Sequence, residues 1–142
     1  AMEVEEVLAS GAALLRDPPR GADRAILALI FEYYDHSLNY LSKEMWRSAM
    51  ALSIEAPDTP NGARYTDLDR RLSKQVAELI AVLQARGEVK AGLDADALGQ
   101  LLFSVLNQIF VEFTKDDDMT LRQLRDRVTR QTKPLLQLLV PG

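Results

Sequence analysis

Apolar residues recur at helical spacing along almost the whole chain, and no stretch sustains a two-residue alternation between turn signals. The pattern predicts an all-α fold of six helices. The first spans about Glu3 to Arg16, with Val4, Val7, Leu8, Gly11 and Leu15 at helical spacing. Asp17-Pro18-Pro19-Arg20-Gly21 ends it, because proline lacks a backbone donor and turns the preceding residue away from helix. The second spans about Ala22 to Asn39. Its Ile26, Leu27, Leu29, Ile30, Phe31, Tyr33 and Tyr34 cover an arc of about 200°, wider than a surface helix needs, so it is expected to be central. A third runs from about Tyr40 to Glu55, with Leu41, Met45, Ala49 and Leu52 on one stripe and Trp46 and Met50 beside it. No proline or glycine marks the junction between these two.

Pro57-Asp58-Thr59-Pro60-Asn61-Gly62 reads as the strongest loop. A long helix from about Ala63 to Arg86 follows, with Tyr65, Leu68, Leu72, Val76, Leu79 and Leu83 on one face and Arg70, Arg71, Lys74 and Glu78 opposite. Gly87 supplies a left-handed C-terminal stop after Arg86. Asp94 then caps a fifth helix that runs to about Thr114. Asp116, Asp117 and Asp118 precede the sixth, where carboxylates suit the positive end of the helix dipole and are expected to cap it. Its stripe is Leu121, Leu124, Val128, Leu135 and Leu139, with Arg122, Asp126, Arg130 and Lys133 facing away. Pro134 inside that pattern is expected to kink or split it.

The fifth helix carries more than one apolar face. Leu102, Leu106, Ile109 and Phe113 form one, with Phe103 and Phe110 on a flank and Asn107 beyond them. Roughly opposite lies an uncharged stripe of Gln100, Ser104, Gln108 and Val111. Glu112 is the only charge between Asp96 and Lys115, whereas a solvent-facing surface of this length normally carries lysine and glutamate. The stripe is therefore expected to meet a second protein surface. The alternative is a buried helix whose serine and amide side chains satisfy nearby backbone groups. Together with the sixth helix it suggests a four-helix dimer seam, built from two copies of the pair and using Gln100, Ser104, Gln108, Val111, Leu121, Leu124, Val128 and Leu135.

Composition narrows the functional classes. At 142 residues with 47% apolar side chains, the chain has the size and core content of one folded domain. It has no cysteine, which removes disulfides and thiolate metal sites and fits a reducing cytoplasm. No apolar run reaches the roughly 20 residues of a membrane span, and the acidic start lacks the basic opening of a signal peptide. With a formal charge of −4 there is no basic field to hold a phosphate backbone. His36 is the sole histidine, so a transition-metal site lacks ligands and a surface or helix-end role is expected. The three aspartates lack the spacing and distant glutamate of a calcium loop. No nucleophile elbow or glycine-rich phosphate loop is present, so no enzymatic role and no cofactor is expected.

The stretch Leu83-Gln84-Ala85-Arg86-Gly87-Glu88-Val89-Lys90-Ala91-Gly92-Leu93-Asp94-Ala95-Asp96-Ala97-Leu98 resembles a recurrent linker of the TetR family of transcriptional regulators. After it come an apolar helix with a central Leu106-Asn107-Gln108, an acidic turn and a final amphipathic helix, again similar to that family. The resemblance covers nearly the whole chain and implies the C-terminal effector-binding and dimerisation domain, a homodimer. DNA would be contacted only through an N-terminal helix-turn-helix domain, and no segment here has a basic recognition helix. Two positions depart from the family pattern: Gln108 stands where glycine is frequent, and Pro134 interrupts the last helix. The resemblance further implies a pocket enclosed by the middle helices, lined by Tyr33, Tyr34, Trp46, Met50, Leu72, Val76, Phe103, Asn107 and Phe110 and suited to a small hydrophobic or aromatic ligand. The competing expectation is a helical protein-interaction module without a pocket, in which the same aromatics are simple core.

Overall fold

Six helices account for most of the described residues, and the reason lies in how each is started and stopped. The computed structural model describes residues 2–141, with side chains from residue 4 onward. Its elements are α1 (Met2–Arg16), α2 (Ala22–Tyr40), α3 (Lys43–Glu55), α4 (Pro60–Ala85), α5 (Ala95–Lys115) and α6 (Leu121–Leu139), with no strand among the described residues. The undecided junction between α2 and α3 is resolved by a serine: the Ser42 hydroxyl accepts from the Met45 N–H at 3.2 Å and so caps α3.

Two expected boundaries are corrected. α4 begins at Pro60 and not near Ala63, because Thr59 accepts from the Gly62 N–H at 3.2 Å and proline is well placed in a first helical turn, where its missing donor costs nothing. The expected loop residues Pro60, Asn61 and Gly62 thus belong to the helix. The aspartates before α6 do not cap it. Thr120 does, in a reciprocal box with Gln123: the Thr120 hydroxyl accepts from the Gln123 N–H, and the Gln123 amide oxygen accepts from the Thr120 N–H. Asp116 instead closes its own turn by accepting from the Asp118 N–H at 3.0 Å, and Asp117 pairs with Arg47 at 3.0 Å. α6 also runs as one element through Pro134. The carbonyl of Arg130 loses its i+4 donor there, but both residues are exposed, so water can replace it.

The stop of α4 follows the sequence pattern. Gly87 has φ 76°, Gly87 N–H reaches the Gln84 carbonyl at 3.0 Å, and Glu88 N–H reaches the Leu83 carbonyl at 2.9 Å, the paired bonds of a left-handed helix stop. Arg86 and Glu88 then fasten this turn to the α1–α2 loop. Arg86 donates to the Pro18 carbonyl at 2.9 Å, and Glu88 accepts from the Gly21 N–H at 3.2 Å.

α4 is the hub, packing on α1, α2, α3 and α5, while α2 also meets α1 and α6. The core gathers Ile26, Leu29 and Ile30 of α2, Val76, Leu79, Ile80 and Leu83 of α4, Leu102 and Leu106 of α5, and Leu124 and Val128 of α6. α4 and α5, joined by a short turn, run antiparallel and touch at Gly99. A Cβ there would lie 2.5 Å from the Ala77 Cα, so the two backbones are closer than any side chain on Gly99 allows.

Gly99→Ala should therefore push α4 and α5 apart and destabilise the fold by about 1–3 kcal/mol. Thermal melts followed by helical circular dichroism check this, with Ala97→Ser on the exposed side of α5 expected to melt like the wild type.

Candidate functional site

The α4–α5 contact sets a register. Counting about two helical turns back from Ala77 along α4 and two turns on from Gly99 along α5 brings Asp69 opposite Asn107. Both line a small inner chamber of about 40 Å³ between α2, α3, α4 and α5. Next to it, toward α1 and the α2–α3 junction, opens an outer chamber of about 400 Å³. Ser37, Trp46, Tyr65, Leu68 and Leu72 line both, so the two are parts of one cavity.

The aromatic frame around the chambers is held by specific bonds. Tyr34 stacks on Phe110 with centroids 5.3 Å apart, and Trp46 meets Phe110 edge-on at 6.1 Å and Tyr65 at 6.3 Å. The Trp46 indole N–H donates to the Ser37 carbonyl at 2.8 Å. Tyr34 donates to the Leu106 carbonyl at 2.9 Å, and Tyr33 donates to the Gln75 side-chain oxygen at 2.6 Å. Gln75 in turn donates to the Leu8 carbonyl at 2.9 Å, tying α1 to α4 beside Gly11, whose missing side chain leaves room for the amide. Burial pushes both phenols well above the ordinary tyrosine range, with Glu78 adding to the effect at Tyr33. Their hydroxyls are neutral, and each already donates to a protein partner.

Of the nine residues expected to line a pocket, Tyr33, Tyr34, Trp46, Leu72, Phe103, Asn107 and Phe110 border the inner chamber. Met50 and Val76 do not. Val76 is fully buried in the core, and the Met50 sulfur lies against Thr114, whose hydroxyl approaches it at 3.8 Å. Both sit at helical spacing with the lining residues, but packing turns them to other neighbours. His36 borders the outer chamber, with Nε2 3.3 Å from the Ser10 hydroxyl and 3.5 Å from Glu32.

Asp69 was not expected. It lies within the apolar stripe of α4, one turn after Tyr65 and nearly one before Leu72, and that interruption was visible in the sequence. Its half-buried carboxyl joins no hydrogen bond or ion pair among the described residues, and burial pushes its pKa up to about 7. The Tyr65 phenol beside it is raised by burial first and by the Asp69 charge second, while Asn107 pulls it down. Asp69, Phe103 and Asn107 also form a wall of an open groove that runs past Gln100 and Ser104 on α5.

The outer surface of α5 is uncharged over much of its length. Gln100, Ser104 and Gln108 are exposed and Val111 is half-buried, while Leu101 (52% exposed) and Val105 (38%) extend the same surface with apolar side chains. On α6 the expected partner-facing stripe is corrected. Leu124 and Val128 are completely buried in their own protomer, and Leu121 and Leu135 are half-buried against the same core. The stripe is consumed by packing on α2 and α5, which leaves Leu138, at 68% exposure, as the apolar side chain that α6 presents outward. α5 is also long and apolar enough to cross a membrane by length and composition, contrary to the expectation from apolar runs, yet half of that window is buried against the other helices.

The raised carboxyl has a stability consequence. The folded state holds the Asp69 proton up to about pH 7, whereas the unfolded chain releases it near the ordinary value of 3.8, so this group lowers stability as pH rises between the two. Arg70, Lys74 and Asp96 line the groove beside it, and the polar side chains that share the inner chamber with it from α2 and α3 are Tyr33, Tyr34, Ser37 and Trp46. Asp69→Asn should raise the melting temperature at about pH 8 and leave it nearly unchanged at about pH 4, read from melts across that range. No family model matches the chain, and neither a curated protein nor a solved structure matches it significantly.

Proposed function

We propose that this chain is the small-molecule-sensing and dimerisation domain of a TetR-like transcriptional regulator. The observation that carries the reading is one helix with two faces. α5 lines an aromatic cavity with Phe103, Asn107 and Phe110, and on its other side presents an uncharged surface of Gln100, Leu101, Ser104, Val105 and Gln108. A cavity of this size with a mainly apolar wall suits a hydrophobic or aromatic ligand. The outward face suits a second copy of the same helix in a four-helix seam, completed by the exposed edge of α6 at Leu138.

The wall shared by the inner chamber and the groove gives the two faces a physical connection. Asp69, Phe103 and Asn107 touch both, and the groove continues to Gln100 and Ser104 at the surface that a partner would cover. A ligand that favours one placement of α5 over another shifts the angle between subunits by its differential affinity. In an intact regulator with DNA-binding heads, that angle sets half-site spacing. The open cavity favours this role over an interaction module with a fully packed interior.

Sedimentation at micromolar concentration should give a dimer, and Leu101→Lys combined with Val105→Glu should give a folded monomer with the wild-type helical spectrum. A wild-type monomer at that concentration overturns the reading.

A further inference from the structure

Most polar groups on the cavity wall are already engaged. Tyr33 donates to Gln75, Tyr34 to the Leu106 carbonyl and Trp46 to the Ser37 carbonyl. What remains near the inner chamber is the Asp69 carboxyl, with the Asn107 amide and the Tyr65 phenol, which interact with each other, beside it. This set is rich in acceptors: an ionised carboxylate only accepts, and the amide and phenol oxygens can accept as well. An ammonium group is the complementary ligand head, with three donors and no acceptor. An anionic head meets the carboxylate as a like charge, and a hydroxyl head offers a single donor.

Three further observations point the same way. Asp69 has no cation paired with it among the described residues, although Arg70 and Lys74 stand on the groove side of the same helix. A carboxylate left without a partner beside apolar walls gains strongly from a charge-assisted bond. The rings of Trp46, Tyr65 and Phe110 flank the chamber, and aromatic faces attract cations. Size and donors then limit the head. The inner chamber is the smaller of the two, at about 40 Å³, and a primary ammonium is a compact head with three N–H donors for these acceptors, whereas a trimethylammonium group is bulkier and has none. The outer chamber, ten times larger at about 400 Å³ and lined by Leu41, Ala49, Leu52 and Leu68, has room for an apolar body.

We propose that the ligand is an apolar or aromatic molecule ending in a primary ammonium group, with Asp69 holding the head in the inner chamber and the body lying in the outer one. This rests on the sensing role proposed above and specifies its ligand. The head-to-body tether spans about one helical turn, roughly 5–6 Å, the separation of Asp69 from Tyr65 along α4.

Trp46 is the only tryptophan and lines both chambers, so its fluorescence reports occupancy directly. The probes are phenylbutylamine, phenylbutanol and the trimethylammonium derivative of the amine, titrated into the wild-type chain at about pH 8. The amine should bind about tenfold more tightly than either of the other two, and Asp69→Asn should reduce its affinity to that of the alcohol. Equal binding of amine and alcohol overturns the ammonium assignment while leaving the cavity reading intact. Equal binding of the amine and its trimethylated derivative overturns the primary head. An unchanged amine affinity in a folded Asp69→Asn variant overturns the role of Asp69, and binding of none of the probes overturns both this assignment and the sensing role. If the variant does not fold, the three-probe comparison on the wild type decides alone.

Discussion

α4 and α5 approach more closely than side chains ordinarily permit, at a point where Gly99 lies against the backbone of Ala77. Everything that gives the molecule a site follows from that contact. Once these two positions touch, the antiparallel geometry leaves no freedom in which residues face each other further along, and Asp69 comes opposite Asn107. Around that pair Trp46, Tyr65 and Phe110 frame a space that they do not fill. A larger residue at Gly99 acts first on the spacing of the pair and through it on the cavity. The chemistry at Asp69 thus depends on an atom that is absent roughly two turns away.

The cavity also depends on where α3 is held against α4 and α5. Two cations fix the start of α3 to the α5–α6 turn. Lys43 donates to the Met119 carbonyl at 2.6 Å and lies 3.9 Å from the centre of the Phe113 ring, while Arg47 donates to the Thr114 carbonyl at 2.6 Å and pairs with Asp117. The Arg47 bond satisfies the Thr114 carbonyl, in the last turn of α5 where intrahelical donors run out, and the Lys43 bond satisfies a carbonyl of the turn that follows. They also place Trp46, between the two cations in sequence, at the boundary of the two chambers. The outer chamber therefore owes its shape to an exposed turn as much as to buried aromatics.

α5 and α6 divide their apolar surface unequally. α6 spends its stripe inside the protomer, where Leu124 and Val128 are fully enclosed, and its outer side is mainly polar and charged. α5 buries Leu102, Leu106, Ile109 and Phe113 and still leaves Leu101 and Val105 outside. Of the apolar surface that these two helices leave exposed, most lies on α5, with Leu138 at the margin. The same helix that encloses the cavity carries the uncharged outer face, and rigid packing lets a displacement on one side reach the other.

How much of this was legible in the sequence depends on how local each feature is. The six helices, the Gly87 stop and the Asp94 cap rest on bonds between near neighbours, and periodicity with side-chain type was sufficient to place them. The boundary errors arose where two local signals competed. Pro60 reads as a loop breaker but serves as a first-turn residue once Thr59 caps the helix, and the aspartates read as caps although Thr120, through its reciprocal bond with Gln123, fixes the start. Periodicity also showed which residues share a face, yet it carried no information on what that face meets. Leu124 and Val128 lie on a clean stripe whether it packs inward or on a partner, and Met50 and Val76 share helical faces with lining residues without reaching the cavity. Asp69 was written in the chain as an acid inside an apolar stripe, but its significance required knowing that no cation among the described residues comes to meet it. The sequence by itself determined the helices and their ends, because those energies are settled within a few residues. Only the tertiary structure decided which surfaces are consumed and which carboxyl is left unpaired, because both depend on contacts between residues far apart in the chain.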